Sequence, residues 1–210
     1  MILLTSSVAS VADHLYKTFL ADKGYKTILF IDTAAELEVG KEDGDDDWLL
    51  ADLQSLRDQG YQVDRYTVTN KCRSEIEATI DAYDIIYMCG GDTVYLLKQL
   101  QITNSFELIK EKVRNGKTYI GTSAGSIIAG PKVPLYLECS ENAEVANDAG
   151  LAFTNVVIVP HWGSVHFKEL YLERGLQAAY QSSEPPLLLL NDSQYVSVDG
   201  DTIEIFNTLQ

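Results

Sequence analysis

Three residues in this chain have the types and settings that acyl-transfer chemistry asks for. Ser123 stands in Gly121-Thr122-Ser123-Ala124-Gly125, a G-x-S-x-G pentapeptide that follows a β-prone run and precedes an apolar, helix-compatible one. In that context the pattern reads as a nucleophile elbow, a sharp strand-to-helix turn that lifts the serine Oγ out of the sheet. Small flanking residues suit such a turn because it is strained and neighbouring backbones approach closely. A serine nucleophile needs a base, and the chain has three histidines, His14, His161 and His166. His161 directly follows the apolar run VVIVP, His14 falls in a helical pattern near the N-terminus, and His166 is placed at a helix start. His161 is therefore the preferred base. An acid that orients the imidazole is expected in Asp192, which ends the apolar run PPLLLLN. An Asx-turn in NDSQ is the bland alternative for that segment. Glu138, Glu141, Glu144 and Asp148, between serine and histidine, read as solvated loop acids.

Developing negative charge on a substrate oxygen needs donors. The turn Cys89-Gly90-Gly91-Asp92 closes another apolar strand, and Gly-Gly lets a backbone N–H face a ligand without a Cβ in the way. Gly91 and Ala124, the latter next to the serine, are the expected oxyanion donors. The same turn also reads as a tight strand-to-helix connection with Asp92 as N-cap.

The elements that must hold these residues alternate. MILLTSS, KTILFIDTA, YQVDRYTVT, DIIYMC and KTYIG read as strands. Between and after them lie helical patterns, including VASVADHLYKTFLADKG, DWLLADLQSLRDQG, SEIEATIDAY, VYLLKQLQ and SFELIKEKVRNG. This predicts an α/β protein with a doubly wound, mostly parallel sheet and helices on both faces. Pro131 to Gly150 reads as a loop, NVVIVPHW as a strand and HFKELYLERGLQAAYQ as a helix. The VDGDT turn between alternating runs predicts a C-terminal β-hairpin. Residues 1–210 are expected to form a single domain.

A net charge of -15 argues against the basic stripe of a nucleic-acid-binding surface, and no nucleic-acid partner is expected. Three cysteines at no metal-ligand spacing point to neither a disulfide framework nor a zinc site, and no cofactor is expected. The N-terminus lacks a basic region and a long apolar segment, so a cytoplasmic protein without a membrane partner is expected. A homo-oligomer is compatible with this reading.

With CGGDTVYLLKQL, GTSAGS, VPHW and NDSQYVSV taken together, the chain resembles the aspartyl dipeptidase (dipeptidase E) and cyanophycinase family of serine peptidases. These are relatives of the class I glutamine amidotransferase-like fold. The resemblance implies Ser123 as nucleophile, His161 as base, Asp192 as acid and Gly91 and Ala124 as oxyanion donors, acting on short peptides through an acyl-enzyme. Dipeptidase E-like enzymes carry glutamate where this chain has Asp192, and the arginine-rich stretch expected to hold an N-terminal aspartate has no counterpart after His161. Lys168 and Arg174 are the nearby cations and the candidates for substrate binding. Two other readings stand beside this one. An α/β-hydrolase esterase expects the order serine, acid, histidine and an HGGG-like donor loop; a non-catalytic amidotransferase-like binding protein would leave Ser123 inert.

Overall fold

The computed structural model describes residues 1–39, 46–135, 145–181 and 185–209, without the side chains of Arg174 and Gln181. Seven strands form the main sheet: β1 (Ile2–Thr5), β2 (Thr27–Ile31), β3 (Gln62–Tyr66), β4 (Ile85–Met88), β5 (Thr118–Thr122), β8 (Gln194–Asp199) and β9 (Thr202–Asn207). Their spatial order is β3-β2-β4-β5-β1-β8-β9. The first five run parallel, and β8 joins β1 antiparallel with Thr5 opposite Tyr195. The hairpin β8–β9 turns at Gly200, whose φ of 56° suits glycine.

The helices are α1 (Val8–Leu15), α2 (Asp47–Asp58), α3 (Arg73–Asp81), α4 (Thr93–Ile102), α5 (Phe106–Arg114), α6 (Ala124–Ile127) and α7 (Leu176–Gln181). From β1 to β3 the chain moves outward in one direction, and from β3 to β5 it returns. Right-handed crossovers then put α1 and α2 on one face of the sheet and α3, α4 and α5 on the other. The packing of α1 on α2 and of α4 on α5 agrees with that division. This is the expected doubly wound arrangement.

The central strands β4 (IIYM) and β5 (TYIGT) are buried at every position, as parallel strands covered on both faces must be. Phe30 of β2 stacks on Tyr87 of β4, with ring centroids 4.5 Å apart, in the core they share with Leu3, Leu4, Ile120 and Tyr119. The first helical stretch continues past Leu15 as a π-helical turn (Tyr16–Leu20) and a 3₁₀ turn (Ala21–Lys23). It stops at Gly24, in the left-handed conformation with φ 71°.

One expectation is refined. The apolar runs before His161 and Asp192 form β6 (Val157–Val159) and β7 (Leu187–Leu189), which pair with each other in a separate two-stranded parallel sheet rather than joining the main one. Bonds from Leu190 N to Val159 O and from Trp162 N to Leu190 O, each 2.9 Å, extend that ladder toward the site. The predicted helix from His166 starts later: His166 lies in a turn, and a π-helical stretch (Leu170–Gly175) precedes α7. Among the described residues, no helix is long and apolar enough to cross a membrane.

Candidate active site

All five parallel strands end at the same edge, where sites of open α/β sheets gather. Ser6 follows β1 there, Asp32 follows β2, Gly90 and Gly91 follow β4, and Ser123 follows β5. Because β8 is antiparallel to β1, its beginning lies at this edge too, and with it Asp192, two residues before Gln194.

Ser123 occupies φ 48°, ψ -111°, a conformation sparsely populated by non-glycine residues and costing on the order of 1–3 kcal/mol. The surroundings over-determine it. Its N–H donates to Thr5 O (3.1 Å), its carbonyl accepts from Ser126 N (2.9 Å) and Ile127 N (3.0 Å), and Gly125 N donates to Cys89 O (3.2 Å). Ser126 Oγ adds bonds to Thr5 O (2.7 Å) and Gly121 O (2.9 Å). The flanking glycines are needed for close approach: a Cβ on Gly121 would stand 2.5 Å from Gly125 O, and one on Gly125 would stand 2.1 Å from Met88 O. The G-x-S-x-G pattern here is therefore a packing requirement of a strained turn that presents Oγ.

His161 is delivered by the end of β6, itself at positive φ (56°). Its Nε2 lies 3.0 Å from Ser123 Oγ and its Nδ1 2.7 Å from Asp192 Oδ1. A carboxylate only accepts, so Nδ1 carries the proton and Nε2 turns its lone pair to the serine hydroxyl. The His161 bond, joined by one from Ser6, holds the Asp192 carboxyl below the ordinary carboxylate range against the opposing effect of burial. Phe167 stacks on the imidazole with centroids 5.0 Å apart and planes 12° apart, which fixes the ring orientation.

The structure thus brings Ser123, His161 and Asp192 into one hydrogen-bonded chain. The Asx-turn expected in NDSQ is present but is made by Asn191, whose Oδ1 accepts from Ser193 N (3.0 Å), leaving the Asp192 carboxylate to the histidine. Asp148 is elsewhere, paired with Lys132 at 3.2 Å. Glu138, Glu141 and Glu144 lie outside the described residues. His14 is exposed and bonds Tyr195 Oη (2.8 Å); His166 is exposed and meets Phe167 edge-on.

Gly90, rather than Gly91, is the glycine alongside the serine: a Cβ on it would lie 3.2 Å from Ser123 Cβ and 3.4 Å from Trp48 Cζ3. Gly91 has φ 120°, and a Cβ there would lie 2.3 Å from Ala34 O, so the turn is pressed onto the segment after β2. Asp92 caps α4 through Tyr95 N (2.8 Å), the N-cap role expected of it. Ala124 opens α6, where its N–H has no intrahelical acceptor. Lys168 is exposed and lines a cavity of about 280 Å³ with Trp162, Val165, Tyr171 and Leu172 among its walls. Phe167 stacks on Tyr171 as well as on His161, so the cavity lies one ring away from the imidazole. The side chain of Arg174 is outside the described residues.

Residues that the sequence did not single out also meet at this edge. Ser6, fully buried, bonds both Asp192 and the His161 backbone. Asp52 of α2, only 5% exposed, accepts from Tyr87 Oη (2.8 Å) and from Ala9 N (3.2 Å). Burial pushes its carboxyl up to about 6, against the opposing effects of those two bonds and of His161. Their common signal is position: Ser6 stands at a strand end, and Asp52 falls on the apolar stripe of its helix with Leu49, Leu53 and Leu56.

Residues 1–206 match the model of peptidase family S51. Peptidase E of Haemophilus influenzae is 34% identical over an alignment of 219 residues, covering 99% of this chain and 92% of the relative. An uncharacterized peptidase of Pasteurella multocida is 30% identical over 202 residues, covering 95% and 93%. A solved structure from Listeria monocytogenes, described as a peptidase E protein, superposes with a TM-score of 0.83 at 24% identity over 98% of this chain and 97% of that one, a likeness of fold. A family match over nearly the whole length and relatives aligned across nine-tenths of both sequences lead to one conclusion: the chain belongs to peptidase family S51 and is a serine-type peptidase.

Proposed function

We propose that the enzyme hydrolyses short peptides in the manner of dipeptidase E, through a Ser123–His161–Asp192 triad and an acyl-enzyme. The observation that carries this is the continuous chain from Ser123 Oγ to His161 Nε2 (3.0 Å) and from His161 Nδ1 to Asp192 Oδ1 (2.7 Å). Ser123 Oγ attacks the scissile carbonyl carbon while its proton passes to Nε2; Asp192 holds the tautomer and supports the imidazolium. The tetrahedral oxyanion is met by the N–H groups of Gly91 and Ala124. The amine leaves with the proton from Nε2, and the acyl group stays on Oγ as an ester. Water then gives a proton to Nε2, attacks the ester and releases the carboxylic acid, and Oγ recovers its proton.

Lys168 supplies a cation for a substrate carboxylate at the rim of the cavity beyond Phe167. The chain order serine, histidine, acid favours this reading over the esterase one. A panel of dipeptides and tripeptides scored for released amino acids tests the proposal. Cleavage by the wild-type enzyme and loss on the order of 10³-fold or more in Ser123→Ala is the expected result. Full turnover by that variant contradicts it.

A further inference from the structure

The proposed reaction joins residues from two separate sheets. Ser123 stands on the main sheet and His161 follows β6 of the two-stranded one, while Asp192 lies in the short link from β7 to β8 of the main sheet. A small slide of the His161 segment against the main sheet would lengthen the 3.0 Å contact between Nε2 and Oγ, and a bond from the main-sheet side to the His161 backbone opposes it. Ser6, at the end of β1 beside β5, is placed to do so.

Its hydrogen bonds have only one consistent polarity. The peptide N–H of His161 can only donate, so Ser6 Oγ accepts from it at 2.6 Å. The hydroxyl's single proton then goes to Asp192 Oδ1, 2.7 Å away, which can only accept. His161 Nδ1, 3.4 Å from Ser6 Oγ, keeps its proton for the same carboxylate oxygen. One hydroxyl therefore fixes both the carboxylate and the strained backbone from which the imidazole projects, φ 56°.

Ser6 is itself held from several sides. Thr122 Oγ1 donates to Ser6 O (3.4 Å) and accepts from Val8 N (3.1 Å) and from Thr5 Oγ1 (2.9 Å). Asp52 ties the next amide of α1, Ala9 N, at 3.2 Å. The residue before Ser123 thus anchors the segment that carries Ser6, which is 0% exposed.

We infer that Ser6 is a positioning residue of this peptidase: its hydroxyl rivets Asp192 and the His161 backbone to the main sheet and thereby keeps the imidazole in reach of Ser123. The inference rests on the triad reading above. It acts on turnover rather than on substrate affinity, and it helps keep Asp192 ionised.

The test compares Ser6→Ala with the pair Ser6→Thr and Ser6→Val, which share a shape but differ in the hydroxyl. In Ser6→Ala kcat should fall on the order of 10- to 100-fold, the loss expected for hydrogen bonds to a charged group, with KM changed by less than about threefold. Ser6→Thr should recover most of kcat over Ser6→Val at matched thermal stability, which keeps the test valid where Ser6→Ala folds poorly. Equal kcat in the Thr and Val variants, or a loss in Ser6→Ala that appears in KM rather than in kcat, overturns the inference. Labelling of Ser123 by a fluorophosphonate separates the two levels. No labelling of the wild-type protein removes the triad reading, whereas equally fast labelling of wild type and Ser6→Ala removes only the role of Ser6.

Discussion

Replacing Asp52 by asparagine should change the pH dependence of stability by an amount that the structure sets. Asp52 is 5% exposed and its carboxyl is pushed from 3.8 up to about 6, chiefly by burial. A carboxyl whose folded value lies above its unfolded one binds its proton more tightly in the native state. Its contribution is therefore fully present below about pH 4 and is lost as the pH rises through about 6. A rise of about 2 units corresponds to about 3 kcal/mol, and solvent screening takes little from a group this buried. Asparagine cannot ionise, its Oδ1 can still accept from Ala9 N, and its amide can donate to Tyr87 Oη. The difference in unfolding free energy between Asp52→Asn and wild type should then grow by about 3 kcal/mol in favour of the variant between about pH 4 and pH 7. Packing offsets cancel from that comparison. Thermal or urea unfolding of both proteins at several pH values measures it, with a relative Tm change of roughly 6–12 °C for a chain of this size. A difference that stays constant across the pH range refutes the raised carboxyl of Asp52.

Three further outcomes follow from the site. Asp192→Asn should lower kcat by up to about 10⁴-fold with little change in KM, since the amide favours the wrong imidazole tautomer; Asp148→Asn, remote in its pair with Lys132, should leave steady-state kinetics unchanged. Gly91→Ala should lower kcat on the order of 10²-fold or more, because its Cβ would lie 2.3 Å from Ala34 O and the turn carrying the N–H must move. Gly24→Ala, with positive φ but nothing within 4 Å, should cost stability alone, as activity and melting assays on both will show. Lys168→Ala should reduce selectivity for an acidic over a neutral substrate side chain by about fivefold, the worth of an exposed ion pair, in competition assays with paired dipeptides; unchanged selectivity dismisses the lysine.

Much of the fold was legible because each parallel strand is short, apolar and followed by a small-residue turn. DIIYMC-GG and KTYIG-TSAG announce buried strands and the close contacts after them. The terminal hairpin was legible from its VDGDT turn. The partition of β6 and β7 into their own sheet was not, because short apolar runs carry no sign of which neighbour they pair with. At the site, Ser123, His161 and Asp192 are each marked by the end of an apolar run. Ser6 also follows an apolar strand, but in TSS it is one small polar residue among three, and its partners lie 155 and 186 positions away. Asp52 hides for the opposite reason, since an acid in DWLLADLQSLRD reads as solvated until the helical stripe shows it facing inward. Both are cases where long-range geometry, not local pattern, decides what a polar group does.

The most direct test of the central claim is to treat the protein with a fluorophosphonate and locate the adduct by peptide mass spectrometry. The chain of bonds from Ser123 to Asp192 predicts one adduct per molecule, on the peptide containing Ser123, absent in Ser123→Ala and formed on the order of 10³-fold more slowly in His161→Ala. An unmodified Ser123, or an adduct formed equally fast without His161, would contradict it.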